Sequence, residues 1–116
     1  MTIDQQITFL PTADLDRATA FYQDVLELVL VRYHGTCRIF RVTESAFVGL
    51  CAHLDAAGGV ITTFVVADVA GWCRRLAIGG VSCEGPTHSD RYAITHAFFS
   101  DPDGNRLEIQ RFDEPL

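Results

Sequence analysis

The sequence predicts an α+β fold made of two tandem β-α-β-β-β modules. The first observation behind this prediction is an internal repeat, in which residues 7–15 (ITFLPTADL) return as residues 61–69 (ITTFVVADV). The second is that each copy leads into a stretch of helical spacing, followed by three short apolar stretches with strand-like alternation. We therefore expect one domain over 1–116, with internal repeats at 1–57 and 60–116 and a hinge at 56–59.

In the first module, a strand is predicted at 5–11, and Asp14 follows where a helix N-cap belongs. Leu15, Ala18 and Tyr22 then recur at helical spacing. Apolar, β-branched stretches predict the remaining strands at 29–33, 37–43 and 46–53.

The second module repeats this plan. A strand is predicted at 60–67, with Asp68 as the N-cap and with Trp72 and Leu76 on the apolar helix face, and Gly79 and Gly80 end the helix. Three strands are predicted at 81–84, 92–99 and 106–112. The segment 100–105 (SDPDGN) joins the last two as a turn, because proline and glycine have the backbone angles that turns require.

Composition excludes several function classes. The chain of 116 residues has a net charge of −6, and all nine basic residues are arginine, so a lysine Schiff base or a phosphate-loop lysine is impossible. The acidic balance argues against nucleic-acid partners. We find no apolar run long enough for a membrane span and no signal peptide, and we expect a cytoplasmic protein with no membrane partner. The widely spaced Cys37, Cys51, Cys73 and Cys83 are expected to be reduced, mostly buried thiols.

Two motifs give the sequence a family resemblance. Together with the duplicated modules, D-L-x-x-A-x-x-F-Y at 14–22 and F-F-x-D-P-D-G-N-x-L-E-I at 98–109 resemble the vicinal oxygen chelate superfamily. That superfamily includes glyoxalase I, extradiol dioxygenases, fosfomycin-resistance enzymes and bleomycin-resistance proteins. The resemblance implies that each module curls its sheet into a half-barrel, that the two half-barrels share a cleft, and that the protein is a homodimer.

The resemblance also implies four metal-ligand positions, which fall on Ile7, Leu50, Thr62 and Glu108. Divalent transition metals need imidazole, carboxylate or thiolate donors. Leucine and isoleucine have none, and a neutral threonine hydroxyl is a poor ligand. We therefore predict no metal and no cofactor at this site.

His96 is the histidine with a possible role beside Glu108. Its strand places it on the same face as Phe98, and it would meet Glu108 across the 92–112 hairpin. Such a pair would be a general base or a hydrogen-bonding pair for a ligand. A purely structural histidine and a two-ligand metal site are the other interpretations.

Strand parity predicts the lining of the cleft. Glu108 and Gln110 share one face of the last strand, Ile7 shares a face with Phe9, and Thr62 shares one with Phe64. The predicted ligand-binding set is Ile7, Phe9, Leu50, Thr62, Phe64, His96, Phe98, Glu108 and Gln110.

These observations favour a metal-free small-molecule-binding protein of the glyoxalase/bleomycin-resistance type. Its ligand would be hydrophobic, a positive charge would suit it, and it would lie in the cleft between the modules. The alternative is a lyase, isomerase or dioxygenase of the same superfamily that uses Glu108, His96 or both. A structural partner-binding domain is disfavoured, because nothing in the chain marks a long partner-binding groove.

Overall fold

A computed structural model describes residues 2–54 and 60–115 of the chain. The chain divides between residues 59 and 60 into two compact units, which we call the first and second modules. Each contains a four-stranded sheet and a helical segment, in the order strand, helix, three strands. The predicted α+β fold with two β-α-β-β-β modules is confirmed. The predicted hinge at 56–59 lies outside the described residues.

The first module has the strand order β1-β4-β3-β2. β1 is parallel to β4, whereas β3 is antiparallel to both β4 and β2. Its helix continues directly into one wider, π-helical turn, in which the Leu26 N–H donates to the Phe21 carbonyl five residues earlier. The elements are β1 (Gln6–Pro11), α1 (Leu15–Ala20) with the π-helical turn Phe21–Val25, β2 (Val29–His34), β3 (Cys37–Arg41) and β4 (Ala46–Cys51).

The second module has the equivalent order β5-β8-β7-β6. β5 is parallel to β8, and β7 is antiparallel to both β8 and β6. In each module, therefore, the fourth strand lies between the first strand and the third. The elements are β5 (Ile61–Val65), α2 (Val69–Ile78), β6 (Glu84–Ser89), β7 (Ile94–Ser100) and β8 (Arg106–Phe112).

The predicted helix starts are confirmed by their caps. The Asp14 carboxylate accepts a hydrogen bond from the Arg17 N–H at 3.1 Å, and the Asp68 carboxylate accepts one from the Gly71 N–H at 2.9 Å. Each aspartate has extended or near-extended backbone angles and satisfies an N–H that has no partner within the helix.

One predicted strand is misplaced. Residues 81–83 do not form a strand, because the Val81 N–H closes the end of α2 by donating to the Leu76 carbonyl at 2.8 Å. Gly80 has a φ of 81° there, which suits glycine past a helix end. The strand begins instead at Glu84, in a polar stretch at the sheet edge that lacks the apolar alternation on which sequence-based prediction relies.

One face of each sheet packs against the helix of its own module. In the first module, Tyr22 stacks on Phe40 with ring centroids 5.7 Å apart, and Leu50 is fully buried beside them. In the second, Leu76 of α2 is buried, as are Leu107 and Ile109 of β8. Burial of these apolar side chains is the main stabilising contribution within each module.

Arg38 of β3 also joins the helix to the first sheet. Its guanidinium donates to the Leu15 carbonyl at 3.1 Å, to the Thr19 hydroxyl at 2.6 Å and to the Asp16 carboxylate at 3.1 Å. The Arg38 side chain is nearly buried, whereas that of Asp16 is exposed. The bonds to Leu15 and Thr19 are thus the better shielded from water.

The predicted turn between β7 and β8 is built around the buried carboxylate of Asp101. One of its oxygens accepts the N–H groups of Asp103 and Asn105, both at 2.9 Å, and the other accepts the Asn105 side-chain amide at 2.8 Å. Gly104 has a φ of 80°, which the turn requires and glycine adopts without strain.

The expectation of four reduced thiols is wrong for two of the cysteines. Cys37 of β3 and Cys51 of β4 are disulfide-bonded, because they lie directly opposite each other in the antiparallel ladder with Cα atoms 4.3 Å apart. Sequence spacing alone does not reveal that register. Cys73 and Cys83 are free, and burial, followed by a hydrogen bond with Cys73, raises the pKa of Cys83 to about 12.

Within residues 2–54 and 60–115, no helix combines the length and the apolar character needed to cross a bilayer.

Candidate functional site

The second sheet has a polar patch on the face that points away from α2. Leu107 and Ile109 of β8 point into the core, so the residues that alternate with them point to the opposite side. Strand register places Phe98 beside Glu108, and His96 beside Gln110. On the other side of β8, Thr63 of β5 is the partner of Glu108. We call this set, Thr63, His96, Phe98, Glu108 and Gln110, the Glu108 face.

Hydrogen bonds engage both oxygens of the Glu108 carboxylate. The Thr63 hydroxyl donates to Oε1 at 2.6 Å, and His96 Nδ1 lies 2.7 Å from Oε2. Glu108 is only 8% exposed, so these partners replace water that the carboxylate has lost on folding. The meeting of His96 and Glu108 across the hairpin, predicted from parity, is confirmed.

The Glu108 carboxylate determines how the His96 ring can be used. An ionised carboxylate only accepts hydrogen bonds, so the proton on the ring belongs at Nδ1, and Nε2 is left as an acceptor in the neutral imidazole. The ring also meets the Phe98 ring edge-on, with centroids 5.1 Å apart. His96 is thus held on two sides, and the face offers an oriented nitrogen next to an aromatic surface.

Arg106 borders this face. Its guanidinium carbon lies 4.2 Å from the centroid of the Phe98 ring, and its Nη2 is 3.3 Å from the Glu84 carboxylate. Arg106 therefore pairs with Glu84 at an exposed position. For Glu108, the partners in the described part of the second module are a hydroxyl and an imidazole.

Two residues of the predicted ligand-binding set lie on the other face of the second sheet. Thr62 and Phe64 are in register with Leu107 and Ile109, so they point to the α2 side, where the Thr62 hydroxyl is buried. Thr63 takes the predicted place of Thr62. Sequence reasoning missed it because threonines stand at both 62 and 63, and alternation alone does not determine which of them faces Glu108.

The first module has an apolar pair where the second has Thr63 and Glu108. Phe9 and Thr63 are equivalent positions, because each lies five residues before the aspartate that caps the helix of its module. The strand partner of Phe9 is Gly49, just as the strand partner of Thr63 is Glu108. The Phe9 ring covers Gly49 so closely that a Cβ on the glycine would overlap it. Ile7 lies on the same face as Phe9, as predicted.

Leu50, by contrast, is fully buried on the helix side, so its predicted position in the binding set is also corrected. The strand partner that shares the face of Ile7 and Phe9 is Gly49. The error again comes from the register between parallel strands, which a single sequence does not specify.

The residues at the positions that the family resemblance implies do not suit a transition-metal ion. Among Ile7, Leu50 and Thr62, the Thr62 hydroxyl is the one donor, and it is a weak one. In the second sheet the strand partner of Glu108 is Thr63, whose hydroxyl is equally weak, and the equivalent pair of the first module, Phe9 and Gly49, has no donor side chain. Both oxygens of Glu108 already have partners. Within residues 2–54 and 60–115, the group of three donor side chains close enough to share an ion is Cys37, Cys51 and His53.

An open depression of about 580 Å³ lies at the end of β5 and β8. None of the residues predicted to bind a ligand lines it. Its walls are mainly apolar. The Glu108 face remains the better candidate because a hydrogen-bonded carboxylate, an imidazole and an aromatic ring converge there and would orient a ligand. The lining residues are Val65, Val66, Ala67, Arg111, Phe112, Asp113 and Pro115.

Comparison with known structures supports the same fold. An integron cassette protein from the mobile metagenome of the Halifax Harbour sewage outfall is 18% identical, with a TM-score of 0.84 over 93% of this chain and 97% of that one. The antibiotic-binding protein TnmS3 from a Streptomyces species is 24% identical, with a TM-score of 0.81 over 96% and 98%. A lactoylglutathione lyase from Agrobacterium tumefaciens is 24% identical, with a TM-score of 0.77 over 91% of both chains.

No curated protein sequence matches the chain significantly. The sequence profile of the Glyoxalase/Bleomycin resistance protein/Dioxygenase superfamily matches residues 5–109, which include most of both modules and every residue of the Glu108 face except Gln110. The chain belongs to this superfamily.

Proposed function

We propose that this protein binds a small hydrophobic molecule at the Glu108 face and needs no metal ion to do so. The observation that supports this most directly is the state of the Glu108 carboxylate, whose two oxygens accept hydrogen bonds from Thr63 and His96. A carboxylate arranged in this way acts as a fixed charge with oriented neighbours, and the Phe98 ring beside it supplies apolar surface.

The same arrangement favours a positively charged or hydrogen-bond-donating ligand. Glu108 is a buried carboxylate in a chain of net charge −6, and the closest permanent cation on its face, Arg106, is paired with Glu84. A ligand cation that takes the place of the Arg106 guanidinium over Phe98 would interact with the π face of the ring and with the carboxylate next to it. TnmS3, which shares the fold, is described as an antibiotic-binding protein, and this agrees with a drug-like ligand.

Calorimetry with a matched pair of probes tests the proposal. 9-Aminoacridine is a cation at neutral pH, acridine is neutral, and both have the same ring system. Binding is measured to chelator-treated wild type, to Glu108→Gln, and to Glu114→Gln as a control at an exposed acid. We expect Glu108→Gln to lower the binding affinity of the cationic probe by about tenfold or more, since charge-assisted hydrogen bonds are worth roughly 1.5–3 kcal/mol. The binding affinity of neutral acridine should change little.

Two outcomes of this titration would contradict the proposal. If Glu108→Gln lowers the affinity for both probes equally, Glu108 shapes the face only through packing. No loss of either would place ligand binding elsewhere on the molecule. Glu114→Gln should behave as wild type in every titration.

Metal independence has its own measurement. The metal content of the wild type is compared with that of Glu108→Gln, both purified without chelator. We expect no metal that depends on Glu108. One equivalent of zinc, nickel, manganese or iron per chain that disappears in Glu108→Gln would overturn the metal-free interpretation.

The 2.7 Å contact between His96 and Glu108 favours one alternative, a metal-independent isomerase or lyase with His96 as the base. Glu108 would hold the imidazole in the tautomer whose Nε2 accepts a proton. Since the lactoylglutathione lyase shares the fold, the assay follows S-lactoylglutathione formation from glutathione and methylglyoxal by chelator-treated protein. Turnover that His96→Gln abolishes would favour the enzyme over the binding protein.

A further inference from the structure

A second cluster of reactive side chains lies at one end of the first sheet and contains none of the residues of the Glu108 face. β3 begins at Cys37 and β4 ends at Cys51, and the chain then turns so that His53 comes back over the pair. A backbone hydrogen bond from the Ala52 N–H to the Thr36 carbonyl, 2.8 Å long, fixes this return. The Cys37, Cys51 and His53 side chains thus converge without a contribution from the second module.

One distance in this cluster already matches that between two ligands of a zinc ion. A tetrahedral zinc has S ligands at about 2.3 Å and N ligands at about 2.0–2.1 Å, which places neighbouring donor atoms roughly 3.5–3.8 Å apart. His53 Nδ1 lies 3.7 Å from Cys37 Sγ, and all three donor atoms lie within 4.8 Å of one another. The imidazole is therefore already at ligand distance from one thiol position.

The surroundings are suited to a metal centre that ions can reach. Cys51 is buried and Cys37 is partly exposed, while His53 is exposed on the outer side. The Thr36 hydroxyl, 3.2 Å from His53 Nδ1, holds the ring with this nitrogen pointing toward the sulfur atoms. Two thiolates and one imidazole leave a fourth position for water, an arrangement typical of zinc sites with three protein ligands.

We infer that Cys37, Cys51 and His53 form a zinc site that exists only when the Cys37–Cys51 disulfide is reduced. The oxidised protein has no thiolate to offer there, because both sulfur atoms are bonded to each other. Thiol–disulfide exchange with a second disulfide, which takes up the two electrons and two protons and leaves as two thiols, would re-form the Cys37–Cys51 bond and release the metal, so zinc binding in the first module would depend on the surrounding thiol redox conditions.

The reaction balances with a phosphine reductant. The phosphine takes an oxygen atom from water and becomes the phosphine oxide, while the disulfide bond breaks and the two sulfur atoms take up the two hydrogens of that water. Zinc then replaces the two thiol protons, which pass to the buffer, and takes the place of the Thr36 hydroxyl as the partner of His53 Nδ1.

The other two cysteines provide the control. Cys73 and Cys83 interact with each other, and the raised pKa of Cys83 favours the protonated thiol over the thiolate that zinc needs. Neither belongs to the three-donor cluster found among the described residues. Removing this pair subtracts the same number of thiols without touching the proposed site.

The experiment is a titration with Zn²⁺ in competition with a chromophoric chelator, before and after phosphine treatment. We expect the reduced wild type and the reduced Cys73→Ser/Cys83→Ser variant to bind one equivalent per chain, and the oxidised wild type to bind none. Co²⁺ in place of Zn²⁺ should give thiolate-to-metal charge-transfer absorption in the same two reduced proteins.

Two variants in the cluster make the proposal falsifiable. The reduced Cys37→Ser/Cys51→Ser variant should bind no zinc. Because loss of even an outer partner of a metal ligand lowers affinity by about 10- to 100-fold, His53→Ala should lower zinc affinity at least about tenfold while keeping every thiol. Zinc binding that survives in Cys37→Ser/Cys51→Ser, or that is unchanged in His53→Ala, would overturn the inference, as would equal binding by the oxidised protein.

Discussion

The His88 side chain lies between two carboxylates at the outer edge of the second sheet. Its Nε2 is 2.9 Å from Asp113, and its Nδ1 is 3.2 Å from Asp90. The hydrogen bond to Asp113 is the main reason that the pKa of His88 is raised, and the negative charges of Asp113 and Asp90 add to it. The fold therefore stabilises the protonated imidazole.

This shift predicts how stability depends on pH. Because the folded-state pKa of His88 is the higher one, its contribution is fully present below the unfolded value of about 6.5 and is lost as the pH rises through the folded value. His88→Gln should therefore lower the melting temperature more at about pH 5.5 than at about pH 8.5. Differential scanning calorimetry at the two pH values measures the difference.

A variant with Asp90→Asn and Asp113→Asn is the control for this prediction. In that background, adding His88→Gln should have the same effect at both pH values. If His88→Gln lowers the melting temperature of the otherwise wild-type protein equally at both pH values, His88 contributes through contacts other than its charge.

The candidate site was partly predictable at the scale of residues. Glu108 and His96 lie on adjacent antiparallel strands joined by a short turn, so parity within one hairpin was sufficient to bring them together. Thr63 belongs to β5, which pairs in parallel with β8, and α2, β6 and β7 lie between these two strands in the sequence. Register across such a connection depends on tertiary packing, and this is why Thr62, Phe64 and Leu50 were predicted on the wrong face.

At the scale of elements, α1 is too short to be stable by itself. It has six residues before the π-helical turn, whereas isolated helices shorter than about 12–15 residues are marginal in water. Apolar packing and the Arg38 guanidinium therefore hold it on the sheet. The donation from Arg38 to the Leu15 carbonyl and the Thr19 hydroxyl provides two of these links.

Replacement of Arg38 by methionine tests this link. Methionine keeps much of the apolar length but has no donors, so we expect a loss of about 2–3 kcal/mol in the free energy of unfolding. Urea denaturation followed by circular dichroism measures it. Arg74→Met, at an exposed position of α2, should cost less than about 0.5 kcal/mol. Equal effects of the two substitutions would contradict the role given to Arg38.

The β7–β8 turn gives a second prediction at this scale. Asp101→Ala removes the acceptors of three hydrogen bonds and leaves the N–H groups of Asp103 and Asn105 without the carboxylate. Because a fully buried donor that loses its partner costs about 1–3 kcal/mol and these two are only partly buried, we expect the free energy of unfolding to fall by about 2 kcal/mol.

The same urea denaturation measures this loss, with Glu114→Ala as an exposed control in the same module. A loss below about 1 kcal/mol would mean that water replaces the carboxylate in the turn.

Most elements were predictable because their signals are local. The N-cap aspartates, the alternating strands and the turn at 100–105 each depend on neighbours in sequence. β6 was misplaced because an exposed edge strand with the sequence EGPTHS has almost no apolar pattern. The Cys37–Cys51 disulfide was missed because it depends on the register of β3 against β4.

At the scale of the whole molecule, large apolar side chains remain exposed on the strands. Ile7 and Phe9 on β1 are 40% and 46% exposed, and Ile61 and Val65 on β5 are 48% and 62% exposed. Exposed apolar side chains that share one face of a strand, as these do within each module, are typical of interaction sites. We therefore propose that the protein is a homodimer, as the family resemblance implies.

Sedimentation equilibrium at micromolar concentration tests the oligomeric state. We expect the mass of two chains, and we expect Phe9→Asp to shift the equilibrium toward the monomer because it places a charge on the exposed apolar strand. Tyr92→Asp, at another exposed aromatic residue, is the control. A wild type with the mass of one chain would contradict the dimer.

The strand order has a consequence for synthesis on the ribosome. β5 is made before β6 and β7, but its neighbour in the sheet is β8, the last strand of the chain. The nascent β5 therefore has no backbone partner in its sheet until residues 106–112 emerge. A ribosome that stalls before this point presents an unpaired strand with exposed Ile61 and Val65, a ready template for pairing with other chains. Emergence of β8 is thus the event that permits the second sheet to close.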